Sequence, residues 1–355
     1  MIQYKDITKF VDNKMIFVGI DIHKRHWNLA FLCDGEFVET VRIRSDYLRL
    51  RHLLSKYSTA RGISLVYEAG FCGFWLYRRL NADGYSCIVT PPTSIPKSTS
   101  KVKTDKRDCR KLASYLASDL LKAVYVPPQE VEADRRIFRR RLDLVDQVRA
   151  SKNKIKSFLH LHKTDRPENI SKNWSKPYIA WLMSLDWEYT SDRFFFNHLL
   201  KVYLRQREDL AEVTRQLRYL SRSDKYYRSY QRLSKCKGVG LITGMMFLLE
   251  LYDMVRFKRS DQLASYLGLT PSQYSSGEEV HMGHITRQGN YRARAMLVES
   301  AWTVIRYDPH LKNKYERIRA KGNNGKKAIV AVAHSLAIRL RRCLLDQTDY
   351  VIGVC

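Results

Sequence analysis

Four acidic side chains carry the clearest chemistry in this chain. Asp21 ends the apolar run MIFVGID, and Glu68 ends ISLVYE. A carboxylate at the end of a strand projects from the sheet edge, where a ligand can reach it. Asp105 and Asp108 stand three apart in KTDKRDCRKLASYLASDLL, so a helix there puts both on one face. Each has an ordinary explanation when taken singly. Asp21 suits a turn, and the Asp105–Asp108 pair suits the positive end of a helix. Taken together they are hard oxygen donors, the kind that holds Mg²⁺. Two such ions, about 3.5–4 Å apart, activate the attacking oxygen and stabilise the leaving oxygen of a phosphodiester. One or two Mg²⁺ ions are therefore the expected cofactor. Lys101, Lys103, Lys106 and Arg107 surround the last two acids and suit DNA phosphates, although helix solubility alone also explains them.

The elements that must position these acids follow from the hydrophobic pattern. MIFVGID, HWNLAFL and EFVETVRI read as strands, the last two joined by an Asp34-Gly35 turn. DYLRLRHLLSKY has helical spacing, ISLVYEA is a strand, FWLYRRLNADGY is a helix stopped at Gly84, and SCIVTPP is a fifth strand. The order β-β-β-α-β-α-β predicts an α/β domain with a mixed sheet. A first strand ending on Asp, a fourth ending on Glu and a later helix bearing Asp is the order of a ribonuclease H-like domain.

Beyond Asp105 the chain reads as helical to about Tyr230. Two long charged amphipathic stretches flank an irregular segment, 164–192, rich in Trp and Tyr. This predicts a helical hairpin or coiled coil, with dimerisation or a plain solvated bundle as its two readings. The aromatics of 164–192 either stack on RNA bases or pack a local core, and packing is the reading taken. From Gly238 the texture becomes apolar and glycine-punctuated. A short helix, SDQLASYLGL, precedes a polar loop, PSQYSSGEEVHMGHITRQGN. The helix YRARAMLVESAWTVI follows, and a last helix comes after KGNNGKK.

Composition limits the partners. Lys and Arg number 63 against 36 Asp and Glu, a formal charge of +27 over 355 residues. A folded chain so basic repels itself unless a polyanion neutralises it, and nucleic acid is the expected partner. No apolar run reaches the length of a membrane span, and MIQYKDITKF lacks the apolar core of a signal peptide. Seven scattered cysteines with no CxxC pair support neither a zinc site nor a disulfide framework. A cytoplasmic, nucleoid-associated protein with reduced cysteines is expected.

The second half offers one nucleophile and several candidate contacts. Ser275-Ser276-Gly277 lies in the polar loop, with His281 and His284 nearby. A serine needs a base or a metal to become nucleophilic, and no His–Asp pair is adjacent. The two histidines alone are a weak zinc signal and are read as loop or phosphate-contact residues. KGVG, with Gly238 and Gly240, resembles the glycine turn of a helix-hairpin-helix, whose backbone N–H groups hold phosphate; a tight interhelical turn fits it equally. Arg139 and Arg140 in RRIFRRR are candidate nucleic-acid contacts.

The blocks FVGIDIHK, VYEAG, KTDKRDCRKLA, CKGVGLITG, YLGLTPSQYSSG and ITRQGNYRARAML, in that order, resemble the DEDD-type insertion-sequence transposases and the related site-specific DNA invertases. That group includes the bridge-RNA-guided recombinases. The likeness runs from about Val18 to Leu345. It implies a RuvC-like domain over 1–125, a helical coiled-coil linker and dimerisation region over 126–232, and a mainly helical transposase domain over 233–355. It implies that Asp21, Glu68, Asp105 and Asp108 are the acids and Ser276, beside Ser275, the catalytic serine. Asn290 and Arg294 after Gly289, and Lys326 and Lys327 after Gly325, match family motifs as nucleic-acid contacts, with plain exposed charge as the alternative. It further implies homodimers assembling into a homotetramer, donor and target DNA as substrates, and a structured noncoding guide RNA as partner. The expected reaction is Mg-assisted strand exchange through a phosphoserine. Its rivals are a junction nuclease that uses water and a non-enzymatic RNA-binding scaffold.

Overall fold

The computed structural model describes residues 7–96, 104–170, 172–276, 279–286 and 288–353. The chain divides into two compact units, Met1–Val126 and Pro127–Cys355.

The first unit is built on a five-stranded mixed sheet. Its elements in chain order are α1 (Ile7–Val11), β1 (Met15–Ile22), β2 (His26–Cys33), β3 (Glu36–Arg44), α2 (Tyr47–Ser55), β4 (Gly62–Glu68), α3 (Trp75–Ala82), β5 (Ser86–Thr90) and α4 (Asp105–Ala117). Strand order is β3-β2-β1-β4-β5. The first three strands are antiparallel neighbours, and β4 and β5 run parallel to β1. Asp34 (φ 49°) and Gly35 (φ 81°) supply the two left-handed residues that a two-residue hairpin needs. The expected α/β order and mixed sheet are present, as a ribonuclease H-like domain requires.

Strand alternation decides which helix covers which face. Ile16, Val18 and Ile20 of β1 join Leu50, Leu54, Leu76 and Leu80 in one core, so α2 and α3 cover that side. Phe17, Ala30 and Leu32 instead meet Cys109 and Ala113, and Val66 meets Leu112, so α4 covers the other. The stripe Cys109, Leu112, Ala113 has the spacing of one helix face, and all three residues are buried.

The second unit is helical apart from one hairpin. Helices α5 (Gln129–Leu161) and α7 (Thr190–Ser221), of 33 and 32 residues, are each roughly 50 Å long at 1.5 Å per residue and pack along one another. Between them lies α6 (Lys176–Ser184). Most aromatic residues of 164–192 pack into a local core, while Tyr189 is exposed. Trp187 is buried with Phe158, Phe196, Tyr178 and Tyr203, and meets the Phe158 ring edge-on at 4.9 Å.

The remaining elements are α8 (Tyr227–Ser234), α9 (Leu241–Met246) running into a π-helical turn at Phe247–Leu251, α10 (Ser260–Tyr266), β6 (Pro271–Ser276), β7 (Glu279–Ile285), α11 (Tyr291–Val304), α12 (Pro309–Gly322) and α13 (Gly325–Leu345). Phe138 of α5 and Leu217 of α7 belong to the same core as α9, α11 and α13. The long helices and the C-terminal region therefore form one unit. Several elements differ from the sequence reading, among them α1 and α6, the latter inside the segment read as irregular. The polar segment expected to be a loop pairs as the β6–β7 hairpin, and α12 is an additional helix. Among the described residues no helix is long and apolar enough to cross a membrane, and the described cysteines are free thiols.

Candidate metal centre

Asp21 stands two residues beyond Gly19 on the face of β1 that α4 covers. The parallel register Ile20↔Tyr67 sets Glu68 level with Asp21 on the neighbouring strand. Glu68 has the same parity as Val66, which packs under α4. Asp105 and Asp108 occupy the first turn of α4, at the start of the stripe that continues as Cys109, Leu112 and Ala113. The four acids are thus brought to one end of the sheet by strand parity and by the seat of a single helix.

That seat depends on a missing side chain. A Cβ on Gly19 would lie 2.0 Å from the Cys109 carbonyl oxygen and 2.6 Å from the Ala113 nitrogen. Only glycine lets the α4 backbone rest directly on β1, and this contact carries the first-turn acids to Asp21.

The electrostatics suit a cation. Burial raises the Asp21 carboxyl above its ordinary value. The His23 imidazole opposes that shift, while the charges of Asp105 and Asp108 add to it. Negative charge is thus concentrated at the positive end of α4, in a chain that is otherwise strongly basic. His23 Nε2 lies between two of the carboxylates, 3.0 Å from Asp21 Oδ2 and 3.6 Å from Asp105 Oδ2.

Polar groups on β2 complete the surround, and sequence reasoning did not single them out. Asn28 Nδ2 donates toward Asp105 Oδ2 at 3.5 Å. His26 Nε2 is buried 3.8 Å from the same oxygen. His26 and Asn28 share the parity of Ala30 and Leu32, so alternation along β2 was the signal available.

His23, His26 and Asp105 bring three potential ligand atoms within 4.8 Å of one another. Two imidazoles and a carboxylate would favour a softer ion. Arg42 argues against that use. Its Nη2 lies 2.9 Å from His26 Nδ1, and a guanidinium can only donate. Nδ1 therefore accepts, and the neutral ring carries its proton on Nε2. His26 then presents a hydrogen to Asp105 rather than a lone pair to a metal. The residues that fit a hard cation are the carboxylates of Asp21, Glu68, Asp105 and Asp108.

Other sequence candidates fall in several places. Lys101 and Lys103 lie outside the described residues. Lys106 and Arg107 are exposed in the first turn of α4. Ser276 ends β6, opposite Glu279 of β7, so it belongs to the second unit and the acids to the first. His281 and His284 are strand residues of β7 rather than loop residues. Gly238 has φ 109°, and a Cβ there would meet the Ser300 carbonyl at 2.9 Å. It closes the α8–α9 turn onto α11, whereas Gly240 has open space around it.

Three expected nucleic-acid contacts make contacts within the protein. Arg139 makes a two-pronged ion pair with Glu250, at 2.6 and 2.9 Å. Arg135, one turn earlier, donates to the Leu249 carbonyl at 2.8 Å within the π-helical turn. Asn290 caps α11 by accepting from the Ala293 N–H at 3.0 Å. Arg294 Nη1 donates to the Leu267 carbonyl at 2.8 Å, tying α11 to the end of α10. Arg140, Lys326 and Lys327 are exposed.

Comparison with known proteins covers both units. Residues 18–163 match the model of the IS110-type DEDD transposases, and residues 230–316 match that of the transposase IS116/IS110/IS902 family. The chain is 32% identical over 317 residues to putative transposase y4qE of Sinorhizobium fredii, covering 86% of this chain and 76% of that protein. It is 29% identical over 245 residues to the transposase for insertion sequence element IS1533 of Leptospira borgpetersenii, covering 68% and 70% of the two chains. Against the transposase for IS1111A of Coxiella burnetii the identity is 23% over 346 residues, covering 95% and 91%.

Proposed function

Because the chain belongs to the IS116/IS110/IS902 family of insertion-sequence transposases, we propose that it breaks and rejoins DNA through a covalent serine intermediate. The observation that supports its metal-assisted cleavage is the gathering of Asp21 with Asp105 and Asp108 of the first turn of α4, with Glu68 level on the next strand; the serine step rests on the family resemblance. Mg²⁺ held by these acids supplies Lewis-acid activation of the attacking oxygen and neutralises charge on the phosphate.

Ser276 Oγ attacks the phosphorus of a DNA phosphodiester. The Oγ–P bond forms, the P–O3′ bond breaks, and the serine proton passes in net terms to the departing 3′ oxygen. A 3′-hydroxyl from another strand then attacks the phosphoserine and restores the serine. The phosphoester energy is kept throughout, so no nucleotide hydrolysis is needed, and the sequence holds no phosphate-binding P-loop motif. Acids and serine belong to different units of the chain. Their meeting is assigned to an assembly of copies, a homodimer pairing into a homotetramer. Target choice is assigned to a structured guide RNA that pairs with donor and target DNA. Both assignments rest on the family resemblance and are compatible with the +27 charge.

The test is a denaturant-resistant protein–DNA adduct formed with Mg²⁺ and flanking DNA of the element. Ser276→Ala abolishes the adduct and Ser275→Ala keeps it. Asp21→Asn abolishes adduct and cleavage while the circular dichroism spectrum stays native. Cleavage that persists in Ser276→Ala would sink the serine step in favour of a water nucleophile. A wild-type chain that binds RNA but never cuts DNA would leave only a scaffold. RNA that copurifies and maps to noncoding DNA beside the coding sequence supports the guide.

A further inference from the structure

We propose that the cleft between α12 and α13 seats the phosphodiester backbone of a nucleic-acid strand, at a site separate from the acids and from Ser276. The inference rests on the reading above that the protein works on nucleic acid.

The cleft has a volume of about 450 Å³. His310, Asn313, Lys314 and Arg317 line it from α12, and Ser335 and Arg339 line it from α13. Among the described residues no acidic side chain lines it, and the nearest acid, buried Asp308, is turned to Arg339 at 2.8 Å. His310, Lys314 and Arg317 recur at helical-turn spacing, and Lys321 extends the row. The row rises roughly 16 Å along the helix axis. Lys314, Arg317 and Lys321 are therefore strung along the axis, as an extended polyanion would need, rather than clustered around a single anion.

The helix that carries the row is poorly explained by folding alone. Across Pro309–Gly322 it bears Lys312, Lys314, Arg317, Arg319 and Lys321 against one acid, Glu316, and its buried residue is Leu311. Like charges three and four apart weaken a helix, and the apolar side that offsets this is narrow: buried Leu311 with half-buried Tyr315 and Ile318.

The chain nonetheless fixes α12 firmly at its start. Asp308 is 2% exposed. It accepts from the Leu311 N–H at 3.2 Å, from Arg339 Nη1 at 2.8 Å and from the Tyr350 hydroxyl at 2.7 Å. Lys314 Nζ is hydrogen-bonded to Ser335 Oγ across the cleft. The positive field reaches the neighbouring His334, whose imidazole is held below its ordinary value by burial and by Lys314. A rigid helix loaded with like charge beside an acid-free cleft is what a polyanion would complete.

The experiment measures binding of the full chain to a DNA duplex and to an RNA hairpin of equal charge, by fluorescence anisotropy across a salt series. Lys314→Gln with Arg317→Gln removes two cleft charges. Lys312→Gln with Arg319→Gln removes two charges from another face of the same helix. The cleft pair is expected to make the log–log salt slope shallower by about two, regardless of sequence, with the circular dichroism spectrum unchanged. The control pair is expected to change it less. Loss confined to DNA assigns the seat to the recombining duplex, and loss confined to RNA assigns it to the guide. Equal changes from both pairs, or none from the cleft pair, would overturn the proposal while leaving the proposed function standing. A wild-type chain that binds neither probe would overturn both.

Discussion

Whether an arginine in this chain meets nucleic acid or the protein itself is decided by what lies opposite it. Arg139 and Arg140 are neighbours in one basic run, yet Arg139 faces Glu250, which is 8% exposed, while Arg140 faces solvent. Removing Arg139 takes the two-pronged partner from a buried carboxylate and leaves it only Arg135, 3.9 Å away. The full cost of such a loss is about 3–5 kcal/mol, and because Arg139 itself is 55% exposed, about 2 kcal/mol is the better expectation. Arg139→Gln should lower the denaturant midpoint and leave DNA affinity nearly unchanged once folded. Arg140→Gln should do the reverse, and equal effects on both measurements would refute the division. The sequence could not show this. Arg139 and Glu250 are 111 residues apart, and a basic run looks the same whether its partner is a phosphate or a distant acid. The same limit hid the tasks of Asn290 and Arg294. His26 and Asn28 were closer to legible, since parity along β2 places them on the face of Ala30.

Elements were legible where apolar residues kept a period. The strands of the first unit and the helix carrying Asp105 and Asp108 did so, and the order of acids along them pointed to the site before any coordinates. The β6–β7 pairing was not legible, because PSQYSS and EVHMGHI are polar and lack a clear alternation. Helix α12 was hidden for a related reason: charged residues crowd a narrow apolar side of Leu311, Tyr315 and Ile318, and the Asp308 cap that starts it depends on distant Arg339 and Tyr350. That cap carries a pH dependence. Burial alone would raise the Asp308 carboxyl, but Tyr350, the Leu311 N–H and Arg339 bring it below its ordinary value. A lowered folded-state value gives stability that is present above the unfolded carboxylate value, about 3.9, and is lost as pH falls through the folded one. Asp308→Asn should therefore cost about 3 kcal/mol at pH 7, and its stability should fall less than wild type on acidification. Parallel loss in both proteins, followed by denaturant melts at several pH values, would remove Asp308 as a source of acid sensitivity.

At the scale of the molecule, each unit carries its own core. The buried apolar residues of the sheet fall in clusters drawn from the first unit, and Val124 and Val126 pack there from the end of that segment. Residues 1–126 expressed alone should fold, with one cooperative thermal transition and exchange-protected amides on β1, β2 and β4. A non-cooperative melt would show that this core depends on the rest of the chain. The second unit has two apolar clusters along its long helices. One, around Phe158, Trp187 and Tyr203, is distinct from the C-terminal core that takes in Phe138 and Leu217. Hydrogen exchange should therefore find the aromatic cluster opening separately from the C-terminal core, because cooperative units follow contiguous packing.

The contact of α4 with β1 at Gly19 also has a genetic consequence. All glycine codons begin with two guanines, and any amino-acid change at either base specifies a residue with a Cβ. Each such residue meets a backbone oxygen already 2.0 Å from that position. The overpacking costs at least about 1–3 kcal/mol, and it displaces the helix that brings Asp105 and Asp108 to Asp21. Position 19 therefore has no tolerated missense neighbour in the genetic code: in a saturating scan for DNA cleavage, synonymous third-base changes should survive and every replacement should score as inactive.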